Sequence, residues 1–220
     1  MPRIFISLLV LFMFSNLAQS QTIAVYGGAN YGRYYSFKQE EGHFSKNFNP
    51  QMGYGFGVEL KDLMIDSTKL ARLAISFQNY GGDFLIQDGG LAGSSSTSGE
   101  VTRNALFVDF YPVGLKLLKE LEMSFGASFG VLLNYQLSGK KYGYSAGNSW
   151  SNELSTNSNF VKPLNFGLNA ALGYEFKIGS IRLEPRYNFF LGLANEFDQS
   201  FIPTKSMRHS FQLSIGRAWK

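Results

Sequence analysis

The chain has 220 residues, no cysteine, and 20 Lys and Arg against 16 Asp and Glu. Without a thiol there is no disulfide framework, thiolate metal site or cysteine nucleophile, and a formal charge of +4 with no long like-charge run is too dilute for a nucleic-acid face. The informative excess is in 24 Gly, 21 Phe and 12 Tyr, which suits strands with one greasy and one crowded face rather than helices.

At the amino terminus Arg3 precedes an apolar run at residues 4–14, and the polar stretch after it places Ala18 and Ser20 at the spacing of a small-residue cleavage site. Residues 1–20 are expected to be a cleaved signal peptide and residues 21–220 a single domain. The run is well short of the ~20 residues a helix needs to cross a bilayer. No later segment is apolar enough to cross as a helix, so a membrane form of the mature chain has to be a closed barrel.

Eight period-two segments follow. The first, at residues 22–35, is weak. In the second, Tyr54, Phe56, Val58 and Leu60 alternate with Gly53, Gly55, Gly57, Glu59 and Lys61; the glycines fall on one strand face with no helix after them, so they read as relief for packing and not as a nucleotide loop. Residues 70–82 and 103–117 give two more weak strands. The clearest has Leu121, Met123, Phe125, Ala127, Phe129, Val131, Leu133, Tyr135 and Leu137 at every odd position, which predicts one apolar face along its length. Residues 164–177, 181–193 and 211–219 repeat the pattern. Eight strands with long connections (36–50, 83–102, 138–162, 195–205) alternating with short ones (62–68, 118–120, 179–180) predict an all-β, eight-stranded antiparallel up-and-down transmembrane β-barrel in the outer membrane of a Gram-negative cell. Residues 88–100 and 138–159, rich in Gly, Ser and Asn, are expected to be mobile loops.

Residues 25–32 (VYGGANYG), 104–116 (NALFVDFYPVGLK) and 172–187 (LGYEFKIGSIRLEPRY) resemble the outer-membrane β-barrel proteins of the porin or PorT-like family. Membership would imply the outer membrane and allow a place in a secretion or transport assembly. The chain departs from the common aromatic terminus, with Trp219 penultimate and Lys220 last.

With the apolar face toward lipid, the strand charges point inward. Glu59, Asp109, Glu122, Glu175 and Glu184 oppose Lys61, Arg72, Lys116, Lys177, Arg182 and Arg186. An eight-stranded barrel is just wide enough for its side chains to fill it, so these groups are expected to pair as a structural network, not to line a pore. Two hairpin registers remain open at residues 179–180: a two-residue turn sets Lys177 opposite Arg182, whereas a four-residue turn sets Lys177 against Glu184.

The two histidines specify no catalytic site, and a lipid-modifying outer-membrane enzyme, with His43 meeting a loop serine such as Ser94 or Ser149, is the least favoured alternative. His43 falls in the first long connection, and His209 and Ser210 are strand neighbours facing opposite ways. Neither a metal nor a cofactor is expected. The candidate for function is the third long connection, where Lys140, Lys141, Tyr142, Tyr144 and Trp150 put basic and aromatic groups on an outer segment. They suit surface polysaccharide or an envelope protein; the competing reading is an interfacial aromatic girdle. The expected partners are outer-membrane lipid and these surface ligands, and the expected role is non-enzymatic.

Overall fold

The computed structural model describes residues 22–36, 45–65, 69–90, 93–145, 147–155, 161–197 and 204–218. The expected signal peptide and His43 lie outside them. Ten strands run in chain order: β1 (Thr22–Tyr35), β2 (Ser45–Ile65), β3 (Lys69–Gly90), β4 (Gly93–Lys116), β5 (Leu121–Ser145), β6 (Asn148–Ser155), β7 (Leu164–Tyr174), β8 (Phe176–Ile178), β9 (Ile181–Gly192) and β10 (Lys205–Ala218). All pair antiparallel, in the order β10-β1-β2-β3-β4-β5-β7-β9, and β9 pairs back to β10. This closes a ring of eight. β8 continues β7 past a break at Glu175, whose N–H turns aside to the carbonyl of Glu120, and β6 pairs only with β5.

The hairpin between β8 and β9 takes the two-residue turn. Lys177 stands opposite Arg182 and Ile178 opposite Ile181, with Gly179 at φ 63°, a left-handed conformation that glycine adopts without a Cβ clash.

The sequence reading needs three corrections. First, the described residues of the segments expected as mobile loops are strand apart from a turn at Gly147. Residues 93–99 pair with β3 on one side (Phe84↔Gly99 to Gly90↔Gly93) and with β5 on the other (Gly99↔Gly139 to Gly93↔Ser145). Ser and Gly have weak strand preference, but a strand paired on both edges has its backbone groups satisfied whatever its side chains. β2, β3, β4, β5 and β6 thus continue past the ring as one protruding sheet.

Second, β2 does not stop at a turn beginning with Asp62. It runs to Ile65 through a bulge between Leu60 and Leu63, where Asp62 adopts φ 60°, a region Asp tolerates better than most residues.

Third, the single apolar face predicted for residues 121–137 changes sides. Ala105 pairs with Leu132 and Asn104 with Asn134, so Leu133 is an extra residue in a bulge. Leu133 is exposed, whereas Leu137 is buried against Tyr34, Phe84, Ile86, Val101 and Phe197.

Candidate functional site

Inside the ring most of the charged side chains pair with one another. Glu59 on β2 is fully buried and is the hub. Arg186 Nη1 on β9 donates to its Oε2 at 2.7 Å, the Ser214 hydroxyl on β10 donates to its Oε1 at 2.6 Å, and Lys61 Nζ lies 3.2 Å from Oε1. Lys61 also pairs with Glu184. Arg72 on β3 reaches Glu184 at 3.2 Å and Glu122 at 3.5 Å. The strand period places all of these on the inward face, and the register brings them to one level.

Toward the tight turns, Arg182 Nη1 meets Asp62 Oδ2 at 2.6 Å and Glu175 Oε2 at 3.6 Å. This relieves the juxtaposition of Lys177 with Arg182. Lys177 itself departs from the expected inward network: it lies at the rim, its side chain 66% exposed, 3.4 Å from Glu175. Lys116 is likewise exposed, at the mouth of the barrel. Asp109 points inward but pairs with no cation among the described residues. It accepts from the Ser128 hydroxyl, and from Asn169 Nδ2 at 3.0 Å.

The opposite end of the lumen is closed by groups the sequence reading missed. Arg103 Nη1 pairs with the fully buried Glu196 at 2.8 Å, and its Nη2 donates to the Glu196 carbonyl at 2.7 Å. Asn165 Nδ2 donates to Glu196 Oε1, and Phe197 lies under the Arg103 guanidinium with its ring centre 5.2 Å away. Between the two ends, Arg208 sits against the rings of Phe107, Phe190 and Tyr80, at 4.1, 4.2 and 4.5 Å to their centroids. This is a cation–π cage. Parity alone gives Arg103 and Arg208, since they continue the inward positions of Asp109 and of Ser210, Gln212 and Ser214. Glu196 lies outside the strands and carries no periodic signal.

A hollow of about 190 Å³ opens at the mouth beside Lys116, Glu122 and Arg182, but little space remains deeper in the network. A cavity of about 30 Å³ lies beside Asp109 and Arg208 and another of about 20 Å³ beside Lys61 and Arg72, room for a water or two and far too small for a conducting path. Glycines help to seat the filling: a Cβ on Gly130 would lie 2.4 Å from the Phe107 ring, and one on Gly55 2.3 Å from the Gln78 amide. Among the described residues no cluster of three or more His, Asp or Glu could hold a metal ion.

The five residues singled out on the third connection fall on two faces of the protruding sheet. Lys140, Tyr142 and Tyr144 are exposed on the outer face, beside Ser94, Ser96 and Ser98 of β4 and Ser149 and Ser151 of β6. A groove of about 420 Å³ at the tip is lined by Tyr142, Tyr144, Ser94, Ser96, Ser149 and Gln87, among others. Lys141 and Trp150 take the opposite face, with Lys141 Nζ 5.7 Å from the Trp150 ring centre and the ring occupying the space left by Gly143. His209 is on the outer wall of the barrel, its Nδ1 2.5 Å from the Tyr187 hydroxyl, while Ser210 is buried inside.

The polarity of the two faces inverts along the strands. In the ring, outward residues are apolar and exposed (Phe56, Val58, Leu106, Phe125, Phe129, Leu168, Phe211 and Leu213), and the inward side holds the charges together with aromatic residues such as Tyr26, Phe107, Tyr111 and Phe190. In the protruding sheet the inward side holds Phe84, Ile86, Val101 and Leu137, and the outward side Gln87, Ser96, Ser98, Glu100 and Lys140. At the boundary the outward residues Asn79, Asn104 and Asn134 form a ladder, linked at 2.8 and 2.6 Å.

No family model matches the chain, and no curated protein matches it in sequence; the PorT-like resemblance therefore rests on the motifs alone. Among solved structures the chain is similar to Neisserial surface protein A at 8% identity, over 90% of this chain and 97% of that one, with a TM-score of 0.40. It is also similar to Ail, the attachment invasion locus protein of Yersinia pestis (10% identity, 90% and 99%, TM-score 0.36), and to the outer membrane protein OprG of Pseudomonas aeruginosa (9% identity, 91% and 97%, TM-score 0.33). At such identities and TM-scores these likenesses carry no argument, and the fold rests on the chain's own strand pairing. From its own pairing, the chain is an all-β, eight-stranded antiparallel barrel with a filled lumen.

Proposed function

We propose that this protein is a non-enzymatic outer-membrane barrel that binds surface polysaccharide through its protruding sheet. The inversion of polarity at the asparagine ladder carries the reading. A barrel in water needs its apolar face inside along its whole length; this one has it outside at Met52, Tyr54, Phe56 and Val58 of β2 and inside beyond the ladder. Lipid thus surrounds the ring and water the sheet, with the tight turns on the periplasmic side and the sheet outside the cell.

The same geometry supports the surface-ligand reading of Tyr142 and Tyr144. Tyr144 is ten residues past Asn134 on β5, about 33 Å along an extended strand. A membrane-interface girdle sits at the level of the lipid headgroups, so these rings stand well above it. Two tyrosines among rows of serine hydroxyls form a flat face that stacks on sugar rings and hydrogen-bonds their hydroxyls. A protein partner would be expected to meet a surface poorer in serine.

The test is an array of bacterial and host polysaccharides probed with the detergent-solubilised barrel. Binding to a polysaccharide is expected, falling more than tenfold in the Tyr142→Ala/Tyr144→Ala double variant while the folded protein keeps its gel mobility. Unchanged binding by that variant, or no polysaccharide bound at all, overturns the reading.

A further inference from the structure

The wall formed by β7, β9, β10 and β1, away from the protruding sheet, carries an apolar groove of about 630 Å³ lined by Leu172, Tyr174, Tyr187, Phe211, Leu213 and Gly27. Gly27 is the unusual member. A Cβ on the adjacent Gly28 would lie 1.9 Å from the Phe211 carbonyl oxygen, so packing demands glycine there, but a Cβ on Gly27 would meet nothing closer than 3.6 Å. The barrel does not need glycine at position 27. An interior strand glycine with no packing reason weakens the strand and marks a place where something else approaches the backbone.

From that groove toward the outer end, the outward residues of β1 and β10 form successive cross-strand pairs: Ala29 with Phe211, Tyr31 with His209, Arg33 with Met207 and Tyr35 with Lys205. Apolar pairs therefore give way to a patch holding His209, Arg33 and Lys205. The His209 ring is held by the Tyr187 hydroxyl and packs on Phe189, 5.2 Å between centroids, which joins the basic patch to the groove. Phe211 and Met207 are four residues apart, about 14 Å along a strand, a span that an acyl chain below and a headgroup above match. The order of apolar groove, ring and cations is complementary to an amphiphile with an anionic head.

We propose that this face binds a phosphate-bearing lipid, with an acyl chain along the groove over Gly27 and the phosphate against Arg33 and Lys205. The proposal rests on the membrane reading above but is independent of the sheet and its polysaccharide.

The test reconstitutes the full barrel in phosphatidylcholine vesicles doped with phosphatidic acid or with diacylglycerol of the same chains, and counts lipid retained after mild-detergent extraction by native mass spectrometry. The wild type should retain phosphatidic acid about tenfold over diacylglycerol. Arg33→Ala/Lys205→Ala should lose about tenfold in phosphatidic acid and nothing in diacylglycerol; Gly27→Leu, which fills the groove, should lower both. Equal retention of the two lipids by the wild type, an unchanged double variant, or full displacement of phosphatidic acid by inorganic phosphate overturns the proposal. Protease protection in the same vesicles reads insertion: an inserted barrel without lipid preference refutes this site alone, and one that fails to insert refutes the membrane reading with it.

Discussion

β3, β4 and β5 pass through two regions that solve opposite problems with the same backbone. Below the asparagine ladder their inward side chains are Arg72, Asp109 and Ser128, held by ion pairs and hydrogen bonds, and their outward side chains are Ile75, Leu106 and Phe129. Above it the inward side is Phe84, Ile86, Val101 and Leu137 and the outward side is Ser, Gln, Glu and Lys. A strand takes its polarity from whatever lies outside it. On the proposed membrane reading, lipid outside sends charge inward, where burial favours pairing, and water outside restores the ordinary apolar interior.

The largest effect that tests this contrast is in the lumen. Glu59 contacts Arg186, Lys61 and Ser214 from full burial, so Glu59→Ala leaves cations uncompensated and should cost about 3–5 kcal/mol. Urea unfolding in lipid vesicles, followed by the shift of the folded band on a gel, measures it; a loss below about 1 kcal/mol would mean that the charges do not hold one another.

In the protruding sheet the corresponding cost should come from an apolar residue. Leu137→Ala empties part of the cluster around Tyr34, Phe84 and Val101, for about 2–4 kcal/mol. If position 137 instead faced lipid or water, as an unbroken strand face would require, the same substitution would cost far less.

The smallest effect probes the tip. The Trp150 ring lies 2.1 Å from where a Cβ on Gly143 would be, so Gly143→Val should displace the indole and shift its fluorescence to the red, at a stability cost of about 1 kcal/mol or less. An unshifted emission would show that β6 does not pair with β5 in this register.

The sequence revealed the barrel because its signal is physical and repeated: outward residues such as Phe125, Phe129, Leu168 and Phe211 are apolar and exposed, and alternation in polarity follows. It hid the protruding sheet for two reasons. Where β4 reads Ser94, Ser95, Ser96 there is no contrast between faces, so a strand looks like a loop. In β5 two changes cancel: the bulge at Leu133 swaps the faces at the level where polarity also inverts, so Tyr135 and Leu137 continue the odd apolar series although they point the other way. β3 did carry a legible signal, since its apolar phase moves from Ile75 and Phe77 to Phe84 and Ile86. Of the internal network, Glu59, Glu184 and Arg186 were legible from parity, whereas Glu196 reaches Arg103 from a segment without any period.

The central claim is that the lumen is filled and the protein works from its outside. Planar-bilayer recording of the purified barrel tests this most directly. The packed network and cavities of about 20–30 Å³ predict no stable conductance from the wild type, whereas a steady, ion-selective current whose size changes in Arg186→Ala would contradict the account.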